Sequence, residues 1–193
     1  MSSIKSNDGG ARPALLAHIC CGPDAVYVVG LLQAEYSVTG YFYNPNLFSS
    51  EEHARRLFET RKVESILSFP LLVGEYDSDG WGRAVRAFED EPEKGRRCDV
   101  CYAFRLDRTA RLAREMDFPL FATIMSVSPW KKAAILNRIG RRAAAKHGIR
   151  FLEADFKKKG GFEKSVALSR RYGLVRQDSC GCRYGRRPGG APR

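Results

Sequence analysis

The chain has 193 residues, 44% of them hydrophobic, and a formal net charge of +11, which suffices for one domain with a real core. Its longest apolar runs, such as PALLAHI at 13–19, fall far short of the roughly 20 residues a bilayer span needs. The polar opening MSSIKSNDGG lacks the apolar stretch of a secretory signal, so a cytoplasmic protein with no membrane partner is expected.

Residues 1–12 read as a flexible N-terminus, 13–185 as a single α/β domain and 186–193 as a basic disordered tail. Ala14 to Ile19 reads as a buried strand, and Asp24 to Glu35 as the helix behind it. Val38 to Tyr43 is a second strand closed by the turn-prone NPN at 44–46. A helix from about Ser50 follows, capped by Ser49 or Ser50, with Glu51 and Glu52 in its first turn. Phe69 to Val73 is a third strand. Helical spacing around Trp81, Val85 and Phe88 breaks at Pro92, and a second helix starts near Cys98. Phe118 to Met125 is a fourth strand, Trp130 to His147 a basic helix stopped by Gly148, and Ile149 to Ala154 a fifth strand. This alternation predicts an α/β fold: a mainly parallel sheet with helices on both faces, binding ligands beyond the carboxyl ends of its strands.

The stretch HICCGPDAV at 18–26 lies at such an end. Gly22 permits close backbone approach, Pro23 suits helix entry, and Asp24 sits near the positive helix N-terminus, where an isolated Asp is also a plain cap. The same terminus lowers the pKa of a thiol at Cys20 or Cys21. Six cysteines form three pairs: Cys20 with Cys21, Cys98 with Cys101 in CDVC, and Cys180 with Cys182 in CGC. In a reducing compartment, pairing points to metal binding or redox chemistry rather than a disulfide framework. Six thiols exceed the four of a structural zinc site; an iron–sulfur cluster with a further ligand set, zinc, and unliganded thiols all stay open.

Charge is uneven along the chain. Residues 1–128 hold 15 Lys or Arg against 18 Asp or Glu, whereas residues 129–193 hold 18 against 4. A polyanionic partner is the natural reading of that last third.

Taken in order, HICCGPDA, YNPN at 43–46, RCDVCYAFRLDRTARLA at 97–113, SVSPWKK at 126–132 and DFKKKGGFEKSVALSRRYGLVRQDSCGCRYG at 155–185 resemble the cobalamin-independent epoxyqueuosine reductases. The resemblance implies a single catalytic domain on a Rossmann-like fold of the adenine-nucleotide α-hydrolase type. It implies two-electron deoxygenation of epoxyqueuosine at the tRNA wobble position, an unidentified electron donor, a [4Fe–4S] cluster and one additional iron ion. Cys20, Cys21, Asp24, Cys98, Cys101, Cys180 and Cys182 are then the metal-binding set. We expect Cys21, Cys98, Cys101 and Cys182 on the cluster, and Asp24, Cys20 and Cys180 on the lone iron. Asp24, Tyr102 and Tyr184 are the candidate catalytic residues, the two tyrosines as proton donors. Tyr43, Asn44 and Trp130 are candidate base contacts. Lys131, Lys132, Arg138, Arg141, Arg142 and Lys146 on the long helix, with Lys157, Lys158 and Lys159, are candidate phosphate contacts.

The chain departs from the family pattern at Gly185, where a serine is expected, and at Trp130, where tyrosine is usual. His53 and His147 read as surface helix residues, and His18 as facing the core or lying behind the metal loop. Two other classes compete: a tRNA-modifying ATP pyrophosphatase or thiolase, against which CCGPDA offers thiols and a proline in place of free amides, and a zinc-stabilised non-catalytic RNA-binding module.

Overall fold

The structure, a computed structural model, describes residues 12–185. Five parallel strands, β1 (Ala14–Ile19), β2 (Ser37–Phe42), β3 (Leu71–Val73), β4 (Leu120–Thr123) and β5 (Arg150–Phe151), form one sheet in the order β3-β2-β1-β4-β5. The helices are α1 (Gly22–Leu32), α2 (Ser50–Leu67), α3 (Ser78–Val85), α4 (Arg96–Glu115), α5 (Ala133–His147) and α6 (Gly161–Arg171). α1 packs against α2 and α6, whereas α4 packs against α5. Right-handed crossovers on either side of β1 put these two groups on opposite faces of the sheet. Strand order reverses between β1 and β4, so the fold's crevice opens at the carboxyl ends of those two strands.

β1 is buried along nearly its whole length, as a central parallel strand must be. α1 begins at Gly22, two residues before the predicted start, because Pro23 occupies its first turn, where a missing N–H costs nothing. Ser49 caps α2, accepting a hydrogen bond from the Glu52 N–H at 3.2 Å, and Gly148 ends α5 in the left-handed conformation. β4 stops at Thr123 rather than Met125: the Thr123 hydroxyl accepts from the Met125 N–H and turns the chain into a 3-10 turn, Ile124–Val127. α5 starts at Ala133, not Trp130, since residues 128–131 form a turn in which the Lys131 N–H donates to the Ser128 carbonyl.

α6 was not predicted. Its inner face buries Gly161, Ser165 and Ser169, so no apolar stripe announces it. The two outer histidines also differ from expectation. His53 is half-buried between Phe42 and Tyr76, at ring centroid distances of 5.1 and 4.7 Å, and His147 tucks its Nε2 3.0 Å from Asp107. Of the segments expected to be flexible, residues 1–11 and 186–193 lie outside the described residues; Arg12 donates to the Gln33 carbonyl. No described helix is long and apolar enough to cross a membrane.

Candidate metal centre

The crevice between β1 and β4 is a cleft of about 1110 Å³, and all six cysteines line it. At the end of β1 the chain turns through Cys20 and Cys21 into α1, whose first turn carries Asp24. The donor atoms of these three buried residues lie within 4.8 Å of one another. The two sulfurs are 3.8 Å apart, which is the edge of a tetrahedron built on metal–sulfur bonds of about 2.3 Å. The sheet directly supports this turn: His18 Nε2 donates to the Tyr43 carbonyl at 3.1 Å, so its Nδ1 accepts from the Thr123 hydroxyl at 2.9 Å. Burial, foremost, and the Arg105 charge hold His18 neutral.

α4 supplies the second pair. Cys98 and Cys101, three apart on its first two turns, share one face. Lys94 adopts a left-handed backbone conformation, φ 72°, and that turn presents its N–H to Cys98 Sγ at 3.3 Å. The third pair comes from the loop after α6, docked on α2 by Arg56, which donates to the Ser179 and Cys180 carbonyls at 3.2 and 3.3 Å. Gly181, at φ 80°, lies against that guanidinium, where a side chain would collide. Cys180 and Cys182 sulfurs share a hydrogen bond at 3.3 Å. Gly185 faces them: a Cβ there would stand 2.7 Å from Cys180 Sγ, so the serine expected at this position would require that thiol to shift.

Each close pair splits its acidities. The hydrogen bond from Cys21 pulls Cys20 down to about 7 against the opposing effect of burial, and Cys21 rises correspondingly. In the same way Cys182 lowers Cys180 to about 6 and is itself raised. Burial raises Cys98 and Cys101. A buried anionic centre needs compensating charge, and the structure brings it from four arginines that the sequence did not flag. Arg56, Arg97 and Arg105 are all less than a tenth exposed, and Arg176 reaches Asp24 Oδ1 at 3.3 Å and the Ser165 and Ser169 hydroxyls. Arg105 follows Cys101 by one helical turn, a spacing that could have exposed it; Arg56 and Arg176 carry no comparable local signal.

The predicted residues fare unequally. The donor atoms of Asp24, Cys20 and Cys21 lie together at one turn, whereas Cys180 comes from the loop after α6. Tyr102 lines the cleft, and burial, reinforced by the neighbouring thiols, raises its pKa, so it keeps its proton. Tyr184 is not among the lining residues; its ring packs 6.2 Å from Trp81, beneath the Arg97 guanidinium at 4.5 Å. Tyr43 is core, stacked between Tyr41 and Phe104. Asn44 reaches the cleft wall but is committed at both ends, donating to the Ile19 carbonyl at 3.0 Å and accepting from Arg105 at 2.5 Å.

Trp130, 48% exposed, and Lys131 line the cleft, with the Lys94 ammonium 5.0 Å from the Trp130 ring centre. Lys132, Arg142, Lys158 and Lys159 are exposed away from it. Arg138, Arg141 and Lys146 instead bridge to Asp99, Glu153 and Asp107, at 3.3, 2.6 and 2.8 Å. Lys157 donates to Asp155 and to the Ser126 and Lys131 carbonyls.

A family model described as Epoxyqueuosine reductase QueH matches residues 15–188. The chain is 35% identical over 179 residues to the epoxyqueuosine reductase QueH of Streptococcus pyogenes serotype M1, covering 90% of this chain and 70% of that protein. With the Thermotoga maritima protein of the same name the identity is 34% over 172 residues, covering 87% and 88%. A solved structure of a predicted subunit of tRNA methyltransferase from Methanocaldococcus jannaschii aligns with a TM-score of 0.55 over 82% of this chain and 76% of that one. At 12% identity that likeness is one of fold. The family match spans β1 to the loop after α6, the stretch that carries all three cysteine pairs, and this chain belongs to the epoxyqueuosine reductase QueH family.

Proposed function

We propose that this chain reduces epoxyqueuosine to queuosine at the wobble position of tRNA, in the cytoplasm, with electrons from an external donor. The observation that carries this reading is the convergence of six thiols and one carboxylate on a single cleft in a chain of this family. Removing the epoxide oxygen as water takes two electrons and two protons. We assign Cys20, Cys21 and Asp24 to a single iron, and Cys98, Cys101, Cys180 and Cys182 to a [4Fe–4S] cluster, which four thiolates suit. The donor chemistry fits both groups, and when bound they supply electrons and a Lewis acid for the epoxide oxygen.

The chain's own side chains do the remainder. Arg176 fixes the Asp24 carboxylate, and Arg56, Arg97 and Arg105 balance the thiolate charge inside the cleft. Tyr102, protonated at neutral pH and lining the cleft, is the proton donor to the departing oxygen. Phe48 and Trp130, exposed aromatics of the cleft lining, suit contact with an extruded base, and Lys94, Lys131 and Arg170, which line the same cleft, suit the flanking phosphates. ATP chemistry finds no support at the β1–α1 turn, where Pro23 has no N–H and thiols occupy the approach.

Anaerobically purified protein tests this directly. About four acid-labile sulfides and more than four irons per chain are expected, with conversion of epoxyqueuosine tRNA to queuosine tRNA under dithionite, read by nucleoside mass spectrometry. Zinc without sulfide after anaerobic reconstitution, and no conversion, would overturn the reading in favour of a zinc-stabilised RNA-binding module.

A further inference from the structure

Among the described residues, Trp81 Nε1 and Arg105 Nε are two of the four buried side-chain nitrogen or oxygen atoms with no formed hydrogen bond. Both residues neighbour Cys101, Trp81 in the same apolar cluster and Arg105 on the next turn of its helix. Trp81, 2% exposed, comes from α3 and packs with Cys101 and Cys182 in a small apolar cluster of the cleft wall. Arg105 stands one turn beyond Cys101 on α4, its Nη2 occupied by Asn44 and its Nε left over.

An indole is a donor only and cannot shed its proton. Leaving it buried and unmatched carries the full desolvation penalty of the N–H. Phenylalanine would fill the same space without that cost, so an indole at this place calls for an acceptor. A neutral thiol is a weak one. An iron-bound thiolate carries negative charge and is much better, and it gains further when an added electron raises the charge on the sulfurs.

We propose that Trp81 is a positioning residue of the redox centre, its indole N–H donating to Cys101 Sγ when that sulfur is an iron-bound thiolate and so raising the centre's reduction potential. The inference rests on the assignment above of Cys101 to the cluster. Hydrogen bonds to cluster sulfurs stabilise the reduced form more than the oxidised one. The step concerned is one electron entering the cluster from a low-potential donor, with no bond made or broken in the protein.

The test is an anaerobic redox titration of reconstituted protein and its Trp81→Phe variant, followed by visible absorption and electron paramagnetic resonance. With iron and sulfide equal in both, the reduced-to-oxidised ratio at a fixed poise is expected to fall about tenfold in the variant, a midpoint about 59 mV more negative for one electron. An unchanged midpoint with an intact cluster would overturn the inference and leave the reductase reading standing. Iron without labile sulfide in the unsubstituted protein would overturn both. Should Trp81→Phe fail to assemble, a Trp130→Phe protein carrying ¹⁵N-indole label isolates Trp81, since the chain has two tryptophans. A ¹⁵N hyperfine coupling to the reduced centre is expected there, and its absence would overturn the proposal.

Discussion

At the scale of single residues, the site is held by close approaches that leave no room for substitution. A Cβ on Gly22 would stand 2.4 Å from the Glu59 carbonyl oxygen, a backbone atom of α2 that cannot swing away. Gly22→Ala is therefore expected to push α1 off α2, costing about 1–3 kcal/mol, and to move Cys20, Cys21 and Asp24 out of register. A lower melting temperature together with substoichiometric iron would show it; a variant with full iron and unchanged melting would refute it. His53 supports a prediction of opposite sign. Burial depresses its folded pKa below the unfolded value of about 6.5, and its Nε2 is buried without a formed hydrogen bond. The stability it contributes is complete above that unfolded value and is lost as pH falls through the depressed folded pKa, because the unfolded chain takes up the proton first. His53→Phe should keep the contacts to Phe42 and Tyr76 while removing this loss. Urea unfolding at pH 8 and pH 5.5 should find the variant gaining on the parent at the lower pH.

At the scale of elements, α6 packs on α1 and holds the turn that carries Cys20, Cys21 and Asp24. Ser165 and Ser169 both donate toward the Pro23 carbonyl, at 2.9 and 3.0 Å, and each has a second acceptor in reach, Asp24 for one and the Ser165 carbonyl for the other. Because either hydroxyl can satisfy Pro23 alone, single alanine substitutions should cost little, and the double substitution about 1–3 kcal/mol, the price of an unmatched buried carbonyl. Urea midpoints of the three variants check this, and additive losses would contradict it. The same helix marks the limit of what the sequence conveyed. The run Ala14 to Leu32 was legible because a wholly buried strand, a proline-led helix start and an apolar helix each leave a local signature. α6 buries glycine and serines, so it left none. The cysteine pairs were legible by spacing, but how the pairs approach one another was not: Cys20 and Cys21 lie with Asp24 on one turn of backbone, whereas Cys180 is brought in by the Arg56 contact, a tertiary fact. Trp81 likewise acquires its position only when α3 packs on α4.

At the scale of the whole molecule, the charge asymmetry of the sequence is not the charge asymmetry of the fold. The last third is strongly basic, yet three of the α5 cations are bridged to Asp99, Glu153 and Asp107, two of them on α4. The cationic cleft is assembled from both parts of the chain, with Lys94, Arg97 and Arg105 from the acidic part and Lys131, Arg170 and Arg176 from the basic one. Binding driven by phosphate neutralisation reports which surface is used, because each lost contact lowers the slope of log affinity against log salt by about 0.7–0.9. Lys94→Gln with Arg170→Gln, both exposed at the cleft mouth, should therefore weaken tRNA binding and flatten that slope by more than one. Arg141→Gln with Lys146→Gln should leave the slope near the parental value, since those cations already face carboxylates. The converse result, a flattened slope only in the α5 pair, would place the phosphate contacts on α5 instead of at the cleft mouth. A phosphate track confined to α5 would remove the role argued for the cleft-mouth cations, so the salt titration tests the proposed binding mode as well as the footprint.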